Sequence, residues 1–124
     1  MDFKIDTKST YTNIKPPQAA LDAIMTETIR QKWYELVDDG CQNLILDLSE
    51  CLNATETGIN GLLTLHEDSY NNNRSFVIAG LTGDAAREVK DSEYGDALNI
   101  APTLAEAVDI INMEILERDL FNEE

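Results

Sequence analysis

The sequence has few of the residues on which most enzyme and nucleic-acid sites depend. Of its 124 residues, nine are basic, two are cysteine and one, His66, is histidine. The 24 acidic residues give a formal net charge of −15, which repels phosphate backbones and anionic lipid surfaces. We therefore expect no nucleic-acid partner. The acidity indicates either a highly soluble surface or a basic protein partner.

A single histidine excludes the commoner catalytic and metal sites. HEDSY (66–70) begins like the zinc motif HExxH, but Tyr70 holds the second histidine position. No serine lies in a nucleophile motif, and GLTGD (80–84) and GINGLL (58–63) lack the spacing of nucleotide-binding loops. We expect a non-enzymatic protein without catalytic residues, cofactor or metal, in which His66 is a half-buried packing residue.

The two cysteines and the apolar runs indicate the compartment. Cys41 and Cys51 bracket a segment that, if extended at roughly 3.3 Å per residue, holds them too far apart for a disulfide. The start, MDFKIDTKST, has neither the basic leader nor the apolar core of a signal peptide, and no run approaches the ~20 apolar residues of a membrane span. We expect reduced thiols in a cytoplasmic protein with no membrane insertion.

The first forty residues predict two strands and a helix. Apolar and polar residues alternate over 3–7 and, more weakly, over 9–15, which indicates a short antiparallel pair. Pro16 and Pro17 then end any strand. From about Ala20 to Asp39 the spacing is helical, with Trp33 on the apolar stripe and Gly40 where a helix end favours positive φ.

Beyond Gly40, strands and helices alternate. Aliphatic runs at 43–49, 75–80 and 97–101 predict three strands, and the first is continuous enough to be buried on both faces. Helical spacing follows each run, over about 59–70, 82–91 and from Pro102 onward. The order ββαβαβαβα predicts one α/β domain over residues 1–124, with a mixed sheet covered by helices.

The last predicted helix has an apolar stripe with the spacing of a coiled-coil seam. Its members are separated by four, three and four positions: Leu104, Val108, Ile111 and Ile115. This spacing permits a homodimer through the C-terminal helix. It is equally the spacing of a helix that packs on its own sheet.

The junction NATETGINGLL (53–63) has more small and hydroxyl residues than a turn requires. It follows the central aliphatic strand, at the edge where open α/β sheets collect functional groups. Thr55 and Thr57 are both suited to cap the next helix, and Gly58 permits a close turn. Capping explains one threonine and one glycine, and leaves the others to be explained.

The segment LILDLSECLNATETGINGLL (44–63) resembles the central segment of STAS domains, the fold of bacterial anti-sigma factor antagonists. In that family an aliphatic strand and a short loop precede D-S-S/T-G-[LIV]-G-x-[LIV]-[LIV], and a partner kinase phosphorylates the Ser or Thr before the glycine. That position is Thr57 here, followed by Gly58 and Ile59. The family's aspartate and first serine are replaced by Thr55 and Glu56. The resemblance extends, element by element, over nearly the whole chain.

The resemblance implies a signalling protein that acts in bacterial transcription regulation. It implies binding to a regulatory kinase or an anti-sigma factor, with phosphorylation of Thr57 switching the binding off. The implied partner-binding loop contains Ser49, Asn53, Thr55, Glu56, Thr57, Gly58 and Asn60. Two alternatives stay open: an unphosphorylated adaptor or scaffold subunit, for example of a lipid-transport complex, in which Thr57 is only a cap, and a sensor of a small ligand such as a nucleotide.

Overall fold

The computed structural model of the protein describes residues 2–122. Its strands are β1 (Lys4–Thr7), β2 (Thr12–Lys15), β3 (Ala19–Leu21), β4 (Leu44–Asp47), β5 (Cys51–Ala54), β6 (Phe76–Ala79) and β7 (Ile100–Ala101). Its helices are α1 (Ala23–Asp38), α2 (Glu56–Asn71), α3 (Gly83–Asp91) and α4 (Leu104–Asn122), with a single 3-10 turn at Gly95–Ala97.

Five strands form a mixed sheet in the order β1-β2-β4-β6-β7. The strands β1 and β2 pair antiparallel, whereas β2–β4, β4–β6 and β6–β7 pair parallel. The parallel pairs require crossovers, which the helices provide. Two further strands, β3 and β5, form a separate parallel pair beside the main sheet.

Alternate residues of the central strands point into two apolar layers. Leu44 and Leu46 of β4 pack with residues of α1, α2 and α3, whereas Ile45 packs with Ala107 and Ile111 of α4. The central sheet is thus buried on both faces, as its continuous aliphatic runs predict. Three helices cover one face and α4 alone covers the other.

The predicted α/β class, the mixed sheet and the main element order are confirmed. Gly40 has the positive φ (105°) expected after the first helix. The prediction missed β3 and β5, and it began the first helix at Ala20, whereas residues 19–21 are a strand. The last predicted strand (97–101) is shorter than expected, since residues 95–97 form the 3-10 turn.

The apolar stripe of α4 packs on the sheet. Ile111 has no exposed surface, and Val108 and Ile115 are partly buried against the same layer. Leu104, by contrast, is 41% exposed and lies outside that layer. The packing of the other three residues follows the second possibility that the spacing allows, and a homodimer through this helix stays a prediction. No helix within residues 2–122 is long and apolar enough to cross a membrane.

Trp33 lies in the larger apolar layer and is 1% exposed, as its position on the stripe predicts. We expect Trp33→Ala to lower the free energy of unfolding by about 3–5 kcal/mol, because the large ring leaves a cavity. The adjacent Tyr34 is 36% exposed and provides a matched control, since Tyr34→Ala opens no buried cavity. Urea unfolding measures both variants, and equal losses would contradict the placement of Trp33.

His66 is half-buried beside two rings, as predicted. Its ring centroid is 4.7 Å from that of Tyr70 and 6.5 Å from that of Phe76. Burial lowers the pKa of His66 below its ordinary value of 6.5, against a weaker opposing effect of the carboxylates of Glu114 and Glu67. The unfolded chain therefore binds a proton at this residue more readily than the folded chain does.

This difference makes the stability depend on pH. The contribution of neutral His66 is fully present above pH 6.5 and is lost as the pH falls toward and past the lower folded-state pKa. Between about pH 8 and pH 5.5 we expect His66→Phe to lose less stability than the wild type. Urea titrations at both pH values measure this, with carboxylate titration common to the two proteins. Parallel curves would contradict the prediction.

Candidate functional site

The predicted site lies where β5 passes into α2. Thr55 is the N-cap of α2, with extended backbone (φ −93°, ψ 161°), and its Oγ1 accepts a hydrogen bond of 3.1 Å from the N–H of Gly58. A helix leaves its first N–H groups without intrahelical acceptors, so this cap satisfies one of them. Thr57 is therefore not the cap but the second residue of the helix.

The carbonyl of Leu21 holds the start of α2 in place. It accepts a 2.9 Å hydrogen bond from the N–H of Thr55, and the Thr55 hydroxyl lies 3.4 Å from it. A Cβ added to Gly58 would lie 2.1 Å from the same carbonyl oxygen. Gly58 is thus buried at a helix-to-strand contact, so within the predicted partner-binding loop it supports the helix start and offers no side chain to a partner.

Thr57 presents its side chain to solvent. The residue is exposed, and its Oγ1 lies 3.2 Å from the Oγ1 of Thr55. Its backbone is fixed because Thr55 before it and Gly58 after it are both bound to the rest of the fold. The hydroxyl is therefore accessible and held on a rigid support.

The other predicted loop residues divide into two places. Glu56 and Asn60 are exposed in the first turns of α2, beside Thr57, and Asn53 is exposed at the end of β5. Ser49 precedes β5, whose four residues span about 13 Å at roughly 3.3 Å per residue and lie between it and Thr55. Its N–H donates to Oδ1 of Asp47 at 3.0 Å, which places Ser49 at the end of β4.

Two exposed apolar residues on the same elements were missed by sequence reasoning. Leu52 in β5 is 55% exposed, and Ile24 in the first turn of α1 is 73% exposed. Single exposed aliphatic side chains are common on protein surfaces, so these two do not define an interface by themselves. The sequence carries little signal for them, because the four residues of β5 are too few to predict a strand and its exposed positions.

The surroundings of the α2 N-terminus are acidic. The side chain of Tyr94 bonds to Glu93, and this bond, with the charges of Glu93 and Glu56, raises the pKa of Tyr94.

Burial raises the pKa of the Cys51 thiol, and the nearby charge of Glu88 adds to the effect. Both cysteines are free thiols, as predicted, and a raised pKa keeps Cys51 in the unreactive thiol form.

Comparison with known proteins identifies the family to which this fold belongs. The STAS domain family model matches residues 5–107, so the chain belongs to the STAS domain family. At the sequence level, no curated protein matches it. The structure is similar to a candidate anti-sigma factor antagonist of Thermotoga maritima, with a TM-score of 0.76 and 12% identity, covering 89% of this chain and 94% of that one.

Two further solved structures are similar to this chain. An anti-sigma factor antagonist of Mycobacterium paratuberculosis has a TM-score of 0.75 and 15% identity, covering 90% of this chain and 93% of that one. The Bacillus cell fate determinant SpoIIAA in its phosphorylated form has a TM-score of 0.60 and 19% identity, covering 89% and 99%. These likenesses extend over almost the whole of each protein and establish a shared fold.

The assignment of the cap to Thr55 gives a direct prediction. Thr55→Ala should lower the free energy of unfolding by about 1 kcal/mol, because the N–H of Gly58 loses its acceptor. Thr57→Ala should change it by less than about 0.5 kcal/mol, as is usual for surface positions. Urea unfolding compares the two threonine variants directly. A larger loss for Thr57→Ala would contradict the assignment.

Proposed function

We propose that this STAS domain is a non-enzymatic interaction module of the anti-sigma factor antagonist kind. It binds a regulatory kinase or an anti-sigma factor through the surface around the start of α2. Phosphorylation of Thr57 by the kinase switches this binding off and so regulates transcription. The observation that carries the proposal is the exposed Thr57 hydroxyl on a fixed helix start.

The local structure is suited to carry a phosphate without unfolding. Thr57 is in the first turn of α2, where free N–H groups and the helix dipole favour negative charge. The Oγ1 atoms of Thr55 and Thr57 already lie within 3.2 Å, so a hydroxyl is at hand to donate to a phosphate oxygen. The modification therefore changes the surface rather than the fold.

A partner that fits the unmodified surface loses its fit on phosphorylation. The phosphate adds roughly −1.5 to −2 charges at pH 7. It adds them next to Glu56 and one helical turn before Asn60, both of which are exposed. Enclosing this new charge in an interface built for a neutral hydroxyl, without a pairing cation, opposes binding.

Substitution at Thr57 tests the switch with the partner captured from the native cell. Thr57→Glu should leave the fold intact but weaken binding at least about tenfold, ~1.4 kcal/mol. Thr57→Ala should bind as the wild type does and should no longer accept phosphate. Titration calorimetry measures the affinities, and intact-mass spectrometry of the captured protein measures phosphate per chain.

Thr64 supplies the matched control, because it is an exposed threonine on the same helix whose Oγ1 bonds to the carbonyl of Asn60. Thr64→Glu should change neither affinity nor phosphorylation at Thr57. Equal partner affinity for wild type, Thr57→Ala and Thr57→Glu would contradict the switch and leave an adaptor domain. Stabilisation by a nucleotide in a thermal melt would instead favour the ligand sensor.

A further inference from the structure

The helix α4 is apolar on two opposite sides. Ala107 and Ile111 have no exposed surface and pack on the sheet. On the other side, Met113, Leu116 and Leu120 are 61%, 60% and 58% exposed. At about 100° per residue these three side chains fall within roughly 60° of one another and directly opposite Ile111. Phe121, 80% exposed, lies beside Leu120.

A second apolar side on a surface helix implies a second contact. A helix of a globular protein ordinarily has one apolar stripe, and a helix that is apolar all round is buried. Single exposed aliphatic residues are common, but Met113, Leu116 and Leu120 follow one another along one side of the helix, as residues of interaction sites do. We call Met113, Leu116 and Leu120 the outer face of α4; Phe121 lies about 100° further round the helix than Leu120.

The rim of the outer face is acidic. Glu117 and Asp119 are exposed on its two sides, and Glu106 and Asp109 extend it toward the start of the helix. Within the described part of α4 the one basic residue is Arg118, which points inward. It donates to Ser75 Oγ at 2.8 Å and Asn43 Oδ1 at 3.1 Å, so its guanidinium lies on the sheet side of the helix.

The position of these acids is unfavourable in the isolated chain. The carboxyl end of a helix carries partial negative charge and favours cations, but the last turn of α4 has no basic residue within the described part of the chain. Glu117 and Asp119 therefore add negative charge where the helix dipole is negative. A cationic partner beside them relieves both interactions.

We propose that the outer face of α4 is a docking surface for an amphipathic helix of another protein, with an apolar stripe flanked by Lys and Arg. The stripe packs on Met113, Leu116 and Leu120, and the basic flanks pair with Glu117 and Asp119. A second copy of this chain fits less well. It would bring an identical acidic rim, on a chain of net charge −15, against the first.

A displayed peptide library tests both parts of this chemistry with the full-length protein. The library has helices of about 18 residues, roughly five turns, with a fixed leucine stripe and flanking positions varied among Lys, Arg, Glu, Gln and Ser. Selection on the wild type should enrich Lys and Arg over Glu at the flanks. The double variant Leu116→Gln/Leu120→Gln, checked for folding by circular dichroism, should bind the selected helices about tenfold more weakly or worse.

Further variants test separately the contribution of the acidic charges and the location of the docking surface. Glu117→Gln/Asp119→Asn should weaken the selected helices about threefold, with a reduced dependence on salt. Ile24→Gln removes an equally exposed aliphatic residue on α1 and should leave their binding unchanged. Thr57→Glu should also leave it unchanged, so failure here is distinguishable from failure of the phosphorylation switch.

Three results would overturn the proposal. One is enrichment of the same helices on Leu116→Gln/Leu120→Gln as on the wild type, or no enrichment on either. Another is enrichment without a bias toward Lys and Arg at the flanks. The third is a dimer in sedimentation velocity that Leu116→Gln/Leu120→Gln dissociates, which would assign the outer face to a second copy of the chain.

Discussion

The contact between the Leu21 carbonyl and the start of α2 fixes the geometry of the candidate site. That oxygen accepts the Thr55 N–H at 2.9 Å, and the missing side chain of Gly58 lets the helix approach it closely. Because Leu21 ends β3 and lies next to the N-cap of α1, one contact joins the starts of two helices. The position of Thr57 is fixed in turn, since Thr55 and Gly58 in the same turn are both held against Leu21.

The same packing continues along the two helices. A Cβ on Gly61 would lie 2.3 Å from Thr26 Cγ2, and the Thr26 hydroxyl donates to the carbonyl of Gly58 at 3.0 Å. The two glycines of GING, Gly58 and Gly61, thus allow α2 to pack closely against α1 and the residues before it. Small residues in NATETGING therefore have two different causes: close backbone approach at the glycines, and capping and exposure at the threonines.

The periodicity of apolar residues in the sequence predicted the long helices and the central strands, because the burial of one or both faces of these elements requires that periodicity. In the runs 43–49 and 75–80, residues 44–46 and 76–79 are buried whichever face of the sheet they point to, as a sheet covered on both faces requires. The short strands β3 and β5 were not predicted because three or four residues carry too little periodicity, and the sequence AAL of β3 is as compatible with a helix as with a strand. The burial of Gly58 was not predicted for another reason. Gly58 packs against Leu21, which is 37 positions earlier in the sequence, and only the folded chain brings the two residues together.

The two faces of the sheet give the molecule two separate surfaces. The start of α2 lies with α1 and α3 on one face, whereas α4 covers the other face alone. Between them lie β4 and β6, which are buried apart from the half-buried Asp47 and pack too tightly to deform gradually. A charge added at Thr57 therefore acts on what binds beside α2 through direct contact, and reaches the outer face of α4 only as a screened field through one sheet. On the two proposals, phosphorylation of Thr57 changes the contact at α2 while the contact at α4 stays constant.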